Sequence, residues 1–364
     1  MKTTTQKPKK SKIGELIDRF ELMVVSHLFG LAIAITMGLK TRQRMSHNNG
    51  IAAKGNFTFD LDPTLPSHPF FVQGKVMPCQ VRHAMATFYD DAMATIKSLS
   101  VKLSDKPFES PFDMNLNTGS ISLFWNVASF LKLAKMRDQK WGIEYIEYYK
   151  KYPIGREAAI DNLRRTPTSF SNLTYYAQTP FNFVGTDGIQ RYAKYRAIPY
   201  DESSVETGII SEQNRLEPEN QRILPGETRN RNYLKNELKE RLKKQPVKYW
   251  YQIQIRDAPQ DQNESIFNSS LDWDAKEFPW RNLGVITLNE IMDWDSSNVL
   301  GFGVSNLPKG LDCIPAKSIY DYNSLNYMRD KTEIARKARL LSYKLFGKPM
   351  EIPENDNRNS STIV

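Results

Sequence analysis

The residues best suited to chemistry in this sequence stand in three short polar motifs that separate apolar and aromatic runs. The motifs are Arg44-Met45-Ser46-His47, Gln80-Val81-Arg82-His83-Ala84 and Asp113-Met114-Asn115-Leu116-Asn117-Thr118-Gly119. The first motif holds one of only four histidines in the 364-residue chain. A histidine can exchange a proton near neutral pH, and a guanidinium group pairs well with an acidic group. By itself, however, a histidine before Asn48-Asn49-Gly50 is typical of a turn, so its role depends on its surroundings.

Composition narrows the range of functions. The chain carries a net charge of +9 with a pI near 9.2, which permits an anionic lipid or an acidic substrate as partner. No basic run is interleaved with aromatics in a nucleic-acid motif, and we expect no nucleic-acid partner. The two cysteines fit no zinc spacing. Glycine-rich phosphate loops, HExxH and GxSxG are also absent from the sequence, which removes the usual support for nucleotide, zincin and α/β-hydrolase chemistry.

Two kinds of element must position the polar motifs. Short runs rich in β-branched and aromatic residues, bounded by turn-forming residues, predict strands, and longer segments with helical periodicity predict helices. The predicted strands are 55–60, 80–84, 98–103, 120–125, 172–177, 190–198 and 247–256, and the predicted helices are 143–149, 156–165, 233–244 and 326–345. Segment 201–231 is polar and predicts a long surface connection. So many strands favour an antiparallel sheet that closes into a barrel.

The N-terminal region has its own pattern. Residues 1–12 carry five lysines and predict a disordered basic arm, whereas 13–42 predict a helix in which 22–39 is almost continuously apolar. A stretch of about 18 residues reaches the lower limit for spanning a bilayer. Both flanks are basic, so the charge asymmetry that orients a span is missing. The helix can therefore span a membrane, lie on its surface or pack on the domain, and the sequence favours the surface position.

In order and spacing, these motifs resemble the catalase superfamily, especially its small catalase-related branch with allene oxide synthases that act on fatty-acid hydroperoxides. The resemblance continues through 162–165, 174–178, 195–199, 251–255 and 322–324, and it covers roughly residues 28–345. It implies an α+β fold, a catalase-like antiparallel β-barrel with surrounding helices and an N-terminal apolar helix. Residues 43–350 would form a domain that binds haem b, and 351–364 a disordered tail.

The resemblance also implies roles for the polar motifs. His47 would act as the base above the iron and Asn117 as the hydrogen-bond donor that orients the peroxide. Ser46 stands where allene oxide synthases of this branch carry a hydroxyl residue and true catalases carry valine, which favours organic hydroperoxides. Arg44 and Arg82 match positions that hold the haem propionates. A further expectation comes from strand geometry: His83 should point away from Arg82 and play a structural part.

The residue beneath the iron has two candidates. Proteins of this superfamily bind iron through a tyrosine in an Arg-x-x-x-Tyr pattern on a helix. The ungapped register from Tyr322-Asn323-Ser324 gives Arg329 and Glu333, so the ligand position holds a glutamate. A local match, Arg339-Leu340-Leu341-Ser342-Tyr343, requires an insertion of about ten residues, and no proline or glycine marks a helix break there. We favour Glu333 and keep Tyr343 as the alternative.

The expected function is haem-dependent conversion of a fatty-acid hydroperoxide by a lyase or dehydratase, with a lipid hydroperoxide as substrate. Two alternatives stay open: a haem peroxidase or monooxygenase on the same fold, and, if the axial tyrosine is truly lost, a haem-free lipid-binding or interaction protein. We expect a cytoplasmic protein that can be peripheral on a membrane. The substrate, the product and the oligomeric state do not follow from the sequence.

Overall fold

The sheet that the strand-rich sequence predicts is an eight-stranded antiparallel barrel. A computed structural model describes residues 11–86, 90–137, 149–201, 205–211, 223–259 and 264–348. The strands are β1 (Gly50–Phe59), β2 (Val76–Met85), β3 (Thr95–Lys102), β4 (Asp113–Thr118), β5 (Leu163–Arg164), β6 (Tyr175–Val184), β7 (Gln190–Pro199), β8 (Val247–Asp257) and β9 (Trp280–Ile291). Their hydrogen-bonded order is β2-β1-β9-β8-β7-β6-β4-β3-β5, and an additional β2–β3 pairing closes the ring. The two-residue β5 is attached to β3 outside the barrel.

Helices pack outside the barrel. They are α1 (Lys12–Ile33), which continues as a π-helical segment (Ala34–Thr41), α2 (Val127–Arg137), α3 (Pro153–Asn162), α4 (Tyr233–Lys244), α5 (Trp294–Val299), α6 (Ser324–Lys331) and α7 (Glu333–Phe346). The predicted α+β architecture, an antiparallel barrel with surrounding helices and an N-terminal apolar helix, is therefore confirmed.

Strand alternation fills the barrel interior with aromatic side chains. In β8, Tyr249, Tyr251 and Ile253 are fully buried, because residues two apart share one face of a strand. His83 lies in the same interior, where its ring stacks on Phe170 at 4.9 Å between centroids. As expected, its neighbour Arg82 points the other way. This interior is a packed core, so the polar site must lie outside it.

The N-terminal helix packs on α6 and α7 along one side. Leu22, Ser26, Gly30 and Ile33 form its buried stripe. Glycine permits the approach, because a Cβ at Gly30 would stand 2.7 Å from the Lys331 carbonyl oxygen. The segment Lys12–Thr41 is still long and apolar enough to cross a membrane by length and composition. The helix therefore has one face against the protein and another open to its surroundings.

Three predicted segments need correction, and two strands were not predicted. Segment 120–125 is irregular, because its backbone groups bond to side chains and loops, as where Ser120 N donates to Asp161. The helix expected over 326–345 is two helices that meet at Thr332, whose hydroxyl donates to the Arg329 carbonyl at 2.7 Å. Strands β4 and β9 were not predicted as strands. The predicted helix 156–165 begins earlier, at Pro153, and ends at Asn162.

Several predicted segments fall largely or wholly outside the described residues. These are the basic arm, the tail 351–364, most of the helix at 143–149 and parts of the connection 201–231.

Candidate active site

A cavity of about 410 Å³ lies between the outside of the barrel and helices α6 and α7. Its wall on the barrel side includes the loop from Gln43 to His47 and residues of β2, β3 and β4. The opposite wall comes from residues 301–306 and from the two helices. Seven of the eight residues singled out from the sequence line it: Arg44, Ser46, His47, Arg82, Asn117, Arg329 and Glu333. The volume is typical of a site for a small organic ligand or cofactor.

His47 is held in an uncommon backbone conformation. Its φ is +62°, in the left-handed region that side chains with a Cβ seldom adopt. Hydrogen bonds secure it, because its backbone N–H donates to Ala86 at 3.1 Å and Arg82 Nη1 donates to its carbonyl at 2.8 Å. Such conformations persist where the surroundings over-determine them, and they cluster at functional sites. The ring is thereby directed to the cavity.

The His47 ring has two side-chain hydrogen-bond partners, and both are residues that the sequence analysis grouped with it. Ser46 Oγ lies 2.7 Å from His47 Nδ1, and the Asn117 side chain also forms a hydrogen bond with the ring. Asn117 is fixed at the end of β4 by pairing with Ser98 on β3 and Tyr176 on β6. Ser46 Oγ engages Nδ1, so Nε2 is the nitrogen at which a ligand in the cavity would exchange a proton.

Burial and positive neighbours keep the His47 imidazole neutral. Burial is the largest cause, followed by the charges of Arg82 and Arg44, and together they lower its pKa from 6.5 to about 3. Neutral imidazole can accept a proton, whereas imidazolium cannot. The His47 ring is therefore neutral, with one unprotonated nitrogen, throughout the physiological pH range.

Five arginines surround the cavity against two carboxylates, Glu333 and Asp330. The five are Arg44, Arg82, Arg329, Arg336 and Arg339. Burial, with the charge of Arg339 next in size, lowers the pKa of Arg82 to about 9. The cavity therefore carries uncompensated positive charge, which would stabilise an anionic ligand.

Guanidinium nitrogens in this cluster are left without a partner. Arg82 directs both terminal nitrogens to the carbonyls of His47 and Asn48, while Arg44 bonds the Leu300 carbonyl at 2.7 Å. Among the described residues, Arg44 Nε, Arg82 Nε and Arg339 Nη2 are buried and have no hydrogen-bond partner. Buried donors without partners are costly, so this set fits a ligand with acidic groups such as the two propionates of haem.

Glu333 is the first residue of α7 and lines the cavity across from the barrel wall. Its carboxylate accepts a hydrogen bond from Arg336 Nε at 2.6 Å. Arg336 is held in turn over the Phe108 ring, 4.8 Å from its centroid. The sequence analysis did not single out Arg336, although its three-residue spacing from Glu333 on a helix is a signal that could have identified the pair.

Tyr343 is not among the residues that line the cavity. Its hydroxyl accepts from Arg339 Nη1 at 2.8 Å and from Asn298 Nδ2 at 3.1 Å, and it donates to the Arg42 carbonyl at 3.1 Å. Arg339 also bonds the Asn298 carbonyl at 2.7 Å. These contacts join α7 to α5 and to the end of the N-terminal helix. Arg339 and Tyr343 thus form a hydrogen-bonded pair, and all three hydrogen bonds of the Tyr343 hydroxyl are made to protein groups.

Comparisons with known proteins agree with this fold. No family model matches the chain. It is 35% identical over 297 residues, 80% of the chain, to an allene oxide synthase-lipoxygenase protein from Plexaura homomalla. It is 22% identical over 269 residues to a catalase-related peroxidase from Mycolicibacterium paratuberculosis, covering 71% of the chain and 77% of that protein. A bacterial catalase structure superposes with a TM-score of 0.59 over the whole chain and 68% of that structure, at 14% identity.

These similarities and the barrel place the chain in the catalase-like family of haem proteins, as the sequence motifs indicated. The name of the Plexaura homomalla protein joins two activities, and this chain spans only 27% of its length. Among the described residues, no group of three or more histidine, cysteine or carboxylate side chains is arranged to hold a metal ion.

Proposed function

We propose that the protein binds haem b in the cavity and converts a fatty-acid hydroperoxide, as a lyase or dehydratase of the allene oxide synthase type. The observation that carries the proposal is the neutral His47 ring, hydrogen-bonded by Ser46 and Asn117, in the same cavity as the arginine cluster. The similarity to a protein named allene oxide synthase-lipoxygenase supports the substrate class. A bound haem would supply the iron chemistry that cleaves the O–O bond.

The chain's own residues have separate tasks in this proposal. Arg44 and Arg82 would hold the propionates, since both are buried or partly buried and each has an unpartnered Nε. His47 would take the hydroperoxide proton at Nε2, and Asn117 would orient the substrate oxygens by donating a hydrogen bond. Ser46, bound to Nδ1, would restrain the ring and fix which nitrogen is free for that proton.

For the axial position we propose Glu333, near Arg329. Glu333 lines the cavity, and the Tyr343 hydroxyl is already satisfied by three protein groups. A carboxylate donates less electron density than a phenolate, so haem would be held less firmly than by a tyrosinate. Arg336 would hold the Glu333 carboxylate in place through their hydrogen bond. If Tyr343 were the ligand, its phenolate could keep the bonds from Arg339 and Asn298, but the bond that it donates to the Arg42 carbonyl would have to break.

The test is haem titration followed by absorption spectroscopy. The wild type should develop a Soret band, Glu333→Ala should lose or displace it, and the matched control Tyr343→Phe should keep it. A band that is lost only in Tyr343→Phe would reverse the axial assignment. A wild type with no band after haem addition would contradict the haem proposal and favour a haem-free lipid-binding protein.

Product analysis then separates the enzyme classes. A fatty-acid hydroperoxide supplied without reductant should be converted to a dehydrated or cleaved product. Consumption of an added reductant in proportion to substrate would instead favour a peroxidase, and insertion of oxygen into an added second substrate would favour a monooxygenase.

A further inference from the structure

The N-terminal helix and α7 lie side by side and run in the same direction. Successive contacts join residues further along both helices: Gly30 with Ile334, Gly38 with Ala335 and Ala338, and Leu39 with Ser342. The two ends are tied together by Arg42, whose Nη1 donates to the carbonyls of Phe346 and Gly347 at 2.5 and 2.7 Å. The pair therefore behaves as one surface element.

Apolar side chains remain exposed on both helices. On the N-terminal helix, Leu31, Ile35 and Leu39 are 45%, 53% and 42% exposed. On α7, Ile334, Leu341 and Leu345 are 45%, 52% and 63% exposed. We call these six residues the two-helix face.

The six residues point to the same side of the pair. On the N-terminal helix they follow the contact residues by one position, as Leu31 follows Gly30 and Leu39 follows Gly38. On α7 the face residues precede the contact residues by one position, as Leu341 precedes Ser342. One residue is a rotation of about 100°. For parallel helices that face each other, a step forward on one and a step back on the other lead to the same side.

The charges beside this face have one sign. Exposed Lys40 lies at one flank, and exposed Lys337 and Lys344 lie at the other. In residues 28–42 and 333–348 the acidic residue is Glu333, which lines the cavity instead. An apolar stripe bordered by lysines is the pattern of helices that lie in the interface of an anionic bilayer, where lysine stems extend toward the headgroups.

We infer that the two-helix face docks on the surface of a lipid bilayer that contains anionic lipids. The buried face of the same helix turn contributes Ile33 to the cavity wall. Docking would therefore bring the cavity within about one helix diameter, roughly 10 Å, of the lipid that would hold a fatty-acid substrate. The inference gives a partner to the proposed function, but it needs neither haem nor turnover.

The experiment is co-sedimentation of the full chain with phosphatidylcholine vesicles, with and without added phosphatidylserine. The wild type should sediment mainly with the anionic vesicles. Ile35→Ser combined with Leu345→Ser should weaken binding at least about tenfold, because two apolar side chains no longer enter the interface. The matched control is Ile189→Ser combined with Val205→Ser, two residues exposed elsewhere by 51% and 72%. It should bind like the wild type.

A charge variant tests the same surface without changing apolar area. Lys337→Glu combined with Lys344→Glu should weaken binding to anionic vesicles, and added salt should weaken the wild type similarly. Circular dichroism of every variant checks that it folds. No binding by the wild type, or equal loss in the Ile189/Val205 control, would overturn the inference. So would a dimer in sedimentation velocity that only the face variant dissociates, because a second copy would then cover the face. The haem titration is read separately, so failure of either proposal leaves the other measurable.

Discussion

The two walls of the cavity are built in different ways. On the barrel side, His47, Ser46 and Asn117 lie on one loop and one strand whose positions are fixed by backbone pairing. On the helical side, the candidate ligands Glu333 and Tyr343 depend on where α7 begins and how it is rotated. Backbone pairing of neighbouring segments fixes the residues of the barrel wall. The residues of the helical wall are fixed by the position of one break between two helices.

The break at Thr332 decides what the helical wall presents. Arg329 ends up on α6 and Glu333 on α7, although only four residues separate them. The second pair with the same spacing, Arg339 and Tyr343, stays within α7, where Arg339 reaches the cavity and Tyr343 is buried beside it without lining the cavity. The same spacing therefore brings Glu333 to the cavity in one case and keeps Tyr343 out of it in the other.

The largest effect should come from the barrel wall. His47→Ala removes the proposed proton acceptor, and we expect turnover of a fatty-acid hydroperoxide to fall about 10²–10⁴-fold. The haem spectrum should keep its Soret band, because the arginines and Glu333 remain. Steady-state kinetics on variants with equal haem content check this. A His47→Ala variant with wild-type turnover would show that His47 takes no part in the reaction.

On the helical side, Tyr343→Phe should destabilise the folded protein. Without the Tyr343 hydroxyl, buried N–H donors of Arg339 and Asn298 lose an acceptor. We expect this loss to lower the free energy of unfolding by about 1–3 kcal/mol. Glu333→Gln, at a side chain that is 39% exposed, should cost less than about 1 kcal/mol. Urea unfolding of the two haem-free variants measures the difference. Equal costs would mean that the two residues do not divide into structural and functional roles.

The contrast also explains what the sequence could predict. Strand alternation in β8 rests on neighbouring residues, so a barrel could be expected from the chain alone, whereas Ser46, His47 and Asn117 were grouped through the family resemblance. The helix break could not, because no proline or glycine marks it and Thr332 makes it with a side-chain hydrogen bond. The position of the Tyr343 hydroxyl depends on its hydrogen bonds with Asn298 and Arg42, which are remote in sequence. Such contacts leave no local pattern.

A smaller effect is expected at Ser46. Ser46→Ala removes the hydroxyl 2.7 Å from His47 Nδ1, so the ring gains freedom while its backbone stays fixed by Ala86 and Arg82. We expect a change in hydroperoxide turnover of about threefold to tenfold, well below that of His47→Ala. Activity toward hydrogen peroxide should rise relative to the organic substrate. A ratio of the two activities that stays at the wild-type value would show that Ser46 does not set the preference.

The smallest expected change is an absence of titration at His47 near neutral pH. Since the pKa of His47 is lowered to about 3 in the folded protein, its ring should stay neutral from pH 8 down to about 4.5. The His47 ring resonance in the haem-free protein, assigned with His47→Gln, should then keep a constant chemical shift. A midpoint near 6.5 would show that burial and the arginines do not act as described.

The same lowered pKa of His47 makes the free energy of unfolding depend on pH. An unfolded chain binds a proton at this histidine below about pH 6.5, whereas the folded chain does not until about pH 3. The contribution of His47 to the free energy of unfolding is therefore fully present above pH 6.5 and is lost as the pH falls toward 3, by up to about 1.4 kcal/mol per pH unit. His47→Gln should flatten the decline between pH 6 and 4.5 in urea unfolding, while Glu333→Gln should leave this histidine-dependent part unchanged. If both variants flattened it equally, the two walls would be electrostatically coupled, and the division between a locally specified wall and a helix-dependent one would fail.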